Sequence, residues 1–392
     1  MLYLDNSATT PLSPDAIAAI EKHLGTFGNP SSLHAAGQEA RALVEHARRQ
    51  VAGALGIKSL HPGELIFTAS GTEANATAIY GTAFAKERRH ASGARVARQV
   101  LTTDCEHPAV EEAMCRLEQN GFTVVRIPTR GGVLDVDAAL HALETPTLLV
   151  SMMLVNNETG SVFDVARIFA AAKAKDPATV THCDAVQGFL KVPFSPAFLH
   201  ADLVTVSGHK IHAPKGVGAL YIHPDILKTK RIVPHVTGGG QEFGLRSGTE
   251  NTLGLVAFGA AAEAGGRSVA ADIAHMAALR DYLDERLTAM GIQVNRPAGA
   301  RAPHIVSLTL PQIKSQTMLN YLSGKGICVS SGSACSSKAT RVSRTLLAFG
   351  LTEREADCTL RVSFSACNTA EEVERFCEVL AEGVATLVRI RK

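Results

Sequence analysis

A lysine and an aspartate each follow an apolar run of the chain, and together they suggest covalent chemistry. Lys210 comes directly after residues 203–206, within Ser207-Gly208-His209-Lys210. A lysine close to apolar strand residues loses its proton more readily, which favours Schiff-base formation. Asp184 ends the preceding apolar run, and a buried carboxylate beside the pyridinium nitrogen lets pyridoxal 5'-phosphate act as an electron sink. The pair predicts a pyridoxal phosphate site, against the simpler alternative of a surface lysine and a capping aspartate.

A turn of small residues offers a place for the phosphate of such a cofactor. Gly71 and Thr72 follow the apolar run 65–68 and begin a predicted helix. The backbone N–H groups and the dipole at a helix start suit a phosphate. Ser207 and His209 can add contacts from the lysine loop. Turns of this kind also cap many helices, so the motif alone is weak evidence.

Cys335 stands apart from the other cysteines because its neighbours are small and polar. It lies in Ser330–Lys338, whereas a buried core cysteine normally has apolar neighbours. An exposed thiol is the more reactive kind, and the nearby Lys338 and Arg341 favour its thiolate. We therefore predict that Cys335 is a nucleophile rather than a structural thiol. The remaining cysteines form no Cys-x-x-Cys pair, so neither a metal site nor a disulfide scaffold is predicted.

Apolar runs that alternate with helical patterns must position these residues. Nearly continuous apolar strands separated by helices predict a mostly parallel sheet that is covered on both faces. The predicted strands are 65–68, 100–103, 123–127, 148–155, 180–183, 203–206 and 218–222. In such sheets functional groups collect at the carboxyl ends of the strands. Five ends carry polar residues: Gly71-Thr72, His107, Asn157, Asp184 and Ser207–Lys210.

The pattern of the chain changes after about residue 255. An Ala-rich helical stretch leads into a long amphipathic helix, and two further strands follow; these elements are 255–265, 273–290, 305–310 and 359–364. A chain of 392 residues is too long for a typical single core, so two domains are predicted. They are a large cofactor-binding domain, 15–255, and a smaller α+β domain made of 1–14 and 256–392.

The composition is that of an ordinary soluble globular protein. Hydrophobic residues make up 46% and charged residues 19%, and the net charge is +2. This balance gives no reason to expect nucleic acid or a membrane as a direct partner. The start of the chain does not have the pattern of a signal peptide, so we expect a cytoplasmic location with free thiols.

Several segments together resemble the cysteine desulfurases of the class V aminotransferase family, the NifS and IscS type. They are Tyr3–Pro11, Gly28–Ser32, Val155–Glu158, Asp184–Gln187, Ser207–Lys210, Pro214–Gly216, Arg246–Thr249 and Ser330–Cys335. The resemblance covers nearly the whole chain. It implies an α/β protein whose large domain has the fold-type-I architecture of pyridoxal phosphate enzymes, with a mostly parallel seven-stranded sheet. It also implies a smaller α+β C-terminal domain and a homodimer with the site at the subunit interface.

The same resemblance implies a role for each residue around the cofactor. Lys210 would bind pyridoxal phosphate covalently and then move the substrate's Cα proton. Asp184 would hold the pyridinium nitrogen, and Gln187 would contact the ring hydroxyl. His107 would stack on the ring and take part in proton transfer. The phosphate would be bound by Gly71, Thr72, Ser207 and His209, with Thr249 reaching across from a second subunit.

The implied reaction converts L-cysteine to L-alanine. Asn157 and Arg361 would hold the substrate carboxylate, and Cys335 would take the sulfur as a persulfide. An acceptor protein, a scaffold or a sulfur carrier, would then receive it for iron–sulfur cluster assembly or for sulfuration of another thio-cofactor or nucleic acid. Two alternatives remain open: a selenocysteine lyase or other class V enzyme, and a non-catalytic scaffold of a sulfur pathway.

Overall fold

The computed structural model describes residues 1–91, 97–331 and 342–387. The strands are β1 (Leu2–Tyr3), β2 (Leu65–Thr68), β3 (Gln99–Thr103), β4 (Thr123–Ile127), β5 (Thr129–Arg130), β6 (Val133–Leu134), β7 (Thr147–Met153), β8 (Val180–Asp184), β9 (Leu203–Ser207), β10 (Gly218–Ile222), β11 (Gln293–Val294), β12 (Ile305–Thr309), β13 (Ile327–Cys328) and β14 (Thr359–Ser363). The α-helices are α1 (Pro14–His23), α2 (Ala35–Ala54), α3 (Gly71–Ala91), α4 (Pro108–Gln119), α5 (Val136–Ala142), α6 (Val165–Lys175), α7 (Pro196–Leu199), α8 (Pro224–Lys228), α9 (Thr252–Ala289), α10 (Ser315–Gly324), α11 (Arg344–Phe349), α12 (Glu353–Asp357) and α13 (Ala370–Thr386).

The centre of the molecule is a seven-stranded sheet in the order β2-β10-β9-β8-β7-β3-β4. Every neighbouring pair is parallel except those of β10, which runs antiparallel to both β2 and β9. The predicted α/β class with a mostly parallel seven-stranded sheet is confirmed. β7 ends at Met153, two residues before the predicted end.

Helices cover both faces of this sheet, which explains why most of its strands are buried and rich in apolar residues. On β7, Val150 and Met152 belong to a buried cluster that includes side chains of α2, α6 and α9. Leu149, which points to the opposite face, belongs to a second cluster with side chains of α3 and α4. Successive side chains of a strand alternate between the two faces of the sheet. When both faces are covered, all of these side chains are buried, and most of them are therefore apolar. Polar groups are therefore concentrated where the strands end.

The C-terminal part has a separate apolar cluster around an antiparallel sheet, β11-β12-β14. Side chains of α10, α13 and the second half of α9 pack there, and so does Leu4 near the N-terminus. β1 pairs with β13, so the first residues of the chain join this part of the molecule. The predicted smaller α+β unit agrees with this arrangement. The domain boundaries at residues 15 and 255 stay a prediction.

One helix covers both stretches that the sequence predicted to be helical after residue 255. The stretch 255–265 was expected to lead into a helix at 273–290, and α9 continues without interruption from Thr252 to Ala289. The first half of α9 contributes Leu255 and Phe258 to the large cluster, and the second half contributes Leu283 and Leu287 to the C-terminal cluster. Burial of side chains in both halves of α9 outweighs the low helix propensity of Gly265 and Gly266, which lie between the two halves.

Within the described ranges, no helix combines the length and the apolar character needed to cross a lipid bilayer.

Candidate active site

A cavity of about 210 Å³ lies at the carboxyl ends of the parallel strands. The strand-end residues predicted from the sequence meet there, together with the start of α3. Its lining consists of Ser7, Ala8, Ser70, Gly71, Thr72, Asn75, His107, Met153, Val155, Asn157, Asp184, Val186, Gln187, Ser207, His209, Lys210 and Arg361. The convergence of these side chains on one cavity is what the position of the strand ends predicted.

Lys210 ends a short 3₁₀ turn, Gly208–Lys210, that follows β9. Its amine donates hydrogen bonds to the carbonyl oxygens of Ser7 and Ala8, at 2.6 and 2.7 Å. These carbonyls belong to the segment between β1 and α1, which the sequence did not single out as part of the site. Two backbone acceptors orient the lysine at the edge of the cavity.

Asp184 is the last residue of β8 and is held from two sides. One carboxylate oxygen accepts from the amide nitrogen of Asn75 at 2.7 Å, and the other accepts from Val186 N at 3.0 Å. Asn75 was missed by the sequence analysis. The available signal was its position on α3, one turn after Gly71, where the helix faces the cavity. Asn75 positions the carboxylate that a cofactor ring nitrogen would meet.

Gln187 belongs to the turn that follows Asp184. Its amide nitrogen donates to Ser7 O at 2.9 Å, and its amide oxygen lies 3.5 Å from Nε2 of the fully buried His304. Ser7 O therefore accepts from both Gln187 and Lys210. A single carbonyl couples the orientations of two side chains that the sequence had predicted to contact the cofactor.

His107 caps the N-terminus of α4, and this contact selects its tautomer. Its Nδ1 accepts from Ala109 N at 3.1 Å, so in the neutral ring Nε2 carries the proton. Burial lowers the pKa of His107; the charge of Asp184 opposes this shift and that of Lys210 adds to it. A neutral imidazole ring at the cavity can stack on an aromatic ligand and exchange a proton through Nε2.

The neighbouring Glu106 is a buried carboxyl that the sequence analysis also missed. One of its oxygens accepts from Thr103 Oγ1 at 2.8 Å and from Met153 N at 2.9 Å. Its other oxygen has no hydrogen-bond partner in the described part of the chain. Burial raises the pKa of Glu106 to about 8. The group is therefore mainly protonated at neutral pH.

Gly71, Thr72, Ser207 and His209, which were predicted to bind the phosphate, line the cavity, and Gly71 and Thr72 begin α3 there. Ser207 Oγ is buried and has no partner among the described residues. A Cβ atom at Gly71 would lie only 3.0 Å from a methyl group of Val186 and 3.2 Å from Ser207 Cβ, so glycine keeps this approach open. His209 Nδ1 lies 3.2 Å from Thr9 Oγ1, and burial, aided by the charge of Lys210, lowers the pKa of His209 to about 4.

Arg361 approaches the cavity from β14. Its guanidinium donates to Asn157 O at 2.8 Å and pairs with Asp5 at 2.8 Å, while its side chain is only 2% exposed. Its Nε has no partner in the described ranges. Asn157 also lines the cavity. Asp5 and the Asn157 carbonyl hold a buried cation at the edge of the cavity, where an anionic ligand would meet it.

One predicted residue, Thr249, does not lie in this cavity. Thr249 is exposed and lines a smaller depression with Arg246 and Glu250. Another predicted residue, Cys335, lies outside the described residues.

The residues of the cavity fit pyridoxal phosphate. A lysine is available for a carbonyl, and a fixed carboxylate, Asp184, faces the same space. The uncommitted buried hydroxyl of Ser207, next to a helix N-terminus, suits a phosphate oxygen. This donor set combines the three contacts that the cofactor needs.

Comparison with known proteins defines the class. The model for the family described as Aminotransferase class-V matches residues 2–376. The chain therefore belongs to the class V aminotransferase family, as the resemblance of its motifs predicted.

Within that family, the chain is similar to proteins named cysteine desulfurases. One, from Trichormus azollae, is 38% identical over 392 residues, which cover 99% of this chain and 94% of the relative. A solved NifS-like protein has a TM-score of 0.89 at 35% identity, covering 98% of this chain and all of the other. The structure of SspA in complex with cysteine has a TM-score of 0.78 at 29% identity, covering 94% of this chain and all of the other.

Proposed function

We propose that the protein is a pyridoxal phosphate-dependent cysteine desulfurase that converts L-cysteine to L-alanine and passes the sulfur to a cysteine of its own chain. The convergence of Lys210, Asp184, His107 and Arg361 on one cavity carries this proposal. The similarity to named cysteine desulfurases and to SspA with bound cysteine supports the choice of substrate.

The bound cofactor supplies an electron sink that stabilises negative charge at the substrate's Cα and Cβ. Asp184, fixed by Asn75, would hold the ring nitrogen, and Gln187 would contact the ring hydroxyl. Lys210 would hold the cofactor covalently, and its amine would accept the Cα proton of the substrate. His107 would stack on the ring and exchange a proton through Nε2. The phosphate would be bound by Gly71, Thr72, Ser207 and His209.

Arg361 and Asn157 bind the substrate carboxylate in this proposal. The buried guanidinium attracts an anion strongly because few water molecules screen it. Its Nε is available, and its two outer nitrogens are already oriented by Asp5 and by Asn157 O. The substrate carboxylate would share this cation with Asp5, so the guanidinium needs little reorganisation on binding.

Cys335 is proposed to attack the substrate sulfur as a thiolate. The Cβ–S bond of the substrate breaks, an S–S bond forms, and the products are alanine and a persulfide on Cys335. The described chain leads towards this residue from Ser330, whose N and O both pair with the backbone of Arg361, at 3.1 and 2.7 Å. Ser330, five positions before Cys335 in the sequence, is therefore anchored beside the proposed substrate arginine.

The far end of the same segment is also anchored near the substrate site. Ser343 Oγ donates to Glu158 at 2.6 Å, and Glu158 is the residue after Asn157. The segment that carries Cys335 thus begins beside Arg361 and ends beside Asn157. This placement supports a role of Cys335 in the chemistry of a ligand bound between them.

A homodimer is part of the proposal. Leu24, Phe27 and Leu33 are 64%, 89% and 86% exposed, which is unusual for large apolar side chains in a single stretch. Contact with a second copy would cover them. Thr249 is exposed and lies away from the cavity of its own chain, as a residue that contacts a partner's phosphate would. The persulfide sulfur then passes to an acceptor protein, for iron–sulfur cluster assembly or another sulfuration pathway.

The test is alanine release from L-cysteine in the presence of a reductant, measured for the wild type and for Cys335→Ala. The proposal predicts alanine and sulfide from the wild type and a loss of about a hundredfold or more in the variant. Visible absorption of bound pyridoxal phosphate should be the same in both proteins. A wild-type protein that binds the cofactor and yet releases no alanine would contradict the proposed substrate. A variant as active as the wild type would contradict the role of Cys335.

A further inference from the structure

A second lysine lies in the interior near Lys210, and the proposed function gives it no role. Lys191 follows the turn after Asp184 and is only 6% exposed. Its Nζ atom has no hydrogen-bond partner within the described residues. A buried ammonium without a partner is costly, because no water or carboxylate replaces its lost hydration. Such a group is retained only where the structure gains something from it, or where it gives up its proton.

The surroundings of Lys191 are unusually rich in positive charge. Lys210, from the lysine loop, and Arg361, from β14, both repel a charge on Lys191. Three histidines from the neighbouring elements are also within range of its charge: His209, His212 and His304. The described carboxylates near these groups are engaged: Asp5 pairs with Arg361, Asp184 accepts from Asn75 in the cavity of Lys210, and Asp272, within charge range of His212, accepts from Ser268.

The histidines do not add to this charge at neutral pH. Burial lowers the pKa of His209 to about 4 and takes that of His304 well below its usual value; it also lowers that of His212. Among the described groups whose charges act on Lys191, those that are positive at neutral pH are Lys210 and Arg361. The arginine stays charged. A proton on one of the two lysines therefore disfavours a proton on the other.

The pKa of Lys191 is lowered first by burial and then by these neighbouring charges. Burial, together with the charges of Lys210 and Arg361, lowers it to about 7. Interaction between two titrating groups is reciprocal, so a proton on Lys191 disfavours one on Lys210 to the same extent. Removal of the positive charge from Lys210 should accordingly let Lys191 take up a proton from water.

We propose that Lys191 is a positioning residue that exchanges positive charge with Lys210, being neutral while the Lys210 nitrogen is charged and protonated once that nitrogen becomes neutral. The inference rests on the proposed function, in which Lys210 must alternate between these two forms. A compensating charge nearby keeps the total charge of the region constant. Lys191 thereby makes the neutral form of Lys210, which is the nucleophile and the base, easier to reach.

The experiment is a pH titration of the visible absorption of the holoenzyme, which reports the proton on the nitrogen that joins Lys210 to the cofactor. Lys191→Met removes the charge and keeps the length of the side chain. Its titration midpoint should rise by about one pH unit, because a like charge has gone. Lys191→Arg makes the charge permanent, so its midpoint should fall below that of the wild type by a similar amount. The wild-type curve should lie between them and be broader than a single-site titration.

A matched control is Lys215→Met, which removes an exposed lysine of the same loop that is also within charge range of His209. Screening by water and salt should limit its shift to about 0.3 units or less. Melting curves establish that each variant is folded. Equal midpoints for the Met, Arg and wild-type proteins would overturn the inference, as would a fall in the Met variant. Absence of visible absorption in the wild type would instead overturn the proposed function, so the two failures are distinguishable.

Discussion

Polar residues cluster both where the parallel strands of the central sheet begin, called here the amino edge, and where they end, called the carboxyl edge. The two clusters differ in whether their polar groups have hydrogen-bond partners. At the amino edge, near the starts of β8 and β9, Lys173 pairs with Asp202 and donates to Thr179 O at 2.7 Å. Asp202 also accepts from Thr181 N at 2.9 Å. At the carboxyl edge, by contrast, Ser207 Oγ and the side-chain oxygen Oδ1 of Asn75 have no hydrogen-bond partner within the described residues.

The difference separates polar groups that stabilise the fold from those that await a ligand. Mutual hydrogen bonds at the amino edge satisfy the groups that burial would otherwise penalise. Donors and acceptors without partners at the carboxyl edge lower the stability of the ligand-free protein. They can form hydrogen bonds once a ligand is bound. Substitutions at the two edges should therefore affect different measurements.

The largest effect is expected for Lys210→Ala at the carboxyl edge. Loss of the only proposed covalent anchor and proton carrier should reduce alanine release by about a thousandfold or more. The visible absorption of bound cofactor should shift or disappear, while the melting temperature stays near that of the wild type. Lys173→Met, at the amino edge, is the matched lysine control and should keep the absorption. If both variants kept it, Lys210 would not be the anchor.

A pH-dependent effect is expected for Glu106→Gln. The folded protein holds a proton on Glu106 up to about pH 8, whereas the unfolded chain releases it near pH 4.5. Raising the pH from 4.5 to 8 therefore destabilises the wild type relative to the variant. The variant should gain on the order of a few kcal/mol in unfolding free energy at pH 8.5. Urea unfolding at pH 5 and pH 8.5 measures this, and an equal difference at both values would contradict it.

At the amino edge, Asp202→Ala should lower stability without affecting the chemistry. It leaves Lys173 and Thr181 N without their shared acceptor, at a cost of about 2–3 kcal/mol. Alanine release per folded molecule should stay unchanged. Lys175→Met breaks the exposed pair with Glu144 and should cost less than about 0.5 kcal/mol. Activity loss in Asp202→Ala at full cofactor occupancy would remove the distinction between the two edges.

The smallest effect is expected for Ser207→Ala. Removal of one hydroxyl from the proposed phosphate site should weaken cofactor affinity by about tenfold, with unfolding free energy unchanged or slightly raised. Dialysis against free pyridoxal phosphate, followed by absorption, gives the affinity. Thr102→Val removes another buried hydroxyl that has no partner in the described chain, but outside the cavity. It should leave the affinity as it is.

The strands and the residues at their ends were predictable for one reason. Each strand is rich in apolar residues, so the polar residues that follow it mark the end of the strand. Asn75 could not be found this way, because it reaches Asp184 through the geometry of α3 rather than through a strand end. Lys191 lies between Leu190 and Val192, and only the folded structure shows that its Nζ has no hydrogen-bond partner among the described residues. The continuity of α9 across Gly265-Gly266 likewise depends on packing at its two ends.

The partners of Lys210 come from the first residues of the chain, and these are held in place by the last strand. Asn6 donates to Ser363 O at 3.0 Å, and Ser7 N donates to Ser363 Oγ at 2.9 Å, across more than 350 positions of sequence. During synthesis the ribosome releases Ser7 long before β14, which lies more than 350 positions later in the chain. Contacts of such long sequence separation form late. The interior of the central sheet can thus form first on the ribosome, whereas the backbone acceptors of Lys210 are held in place only after β14 has been synthesised.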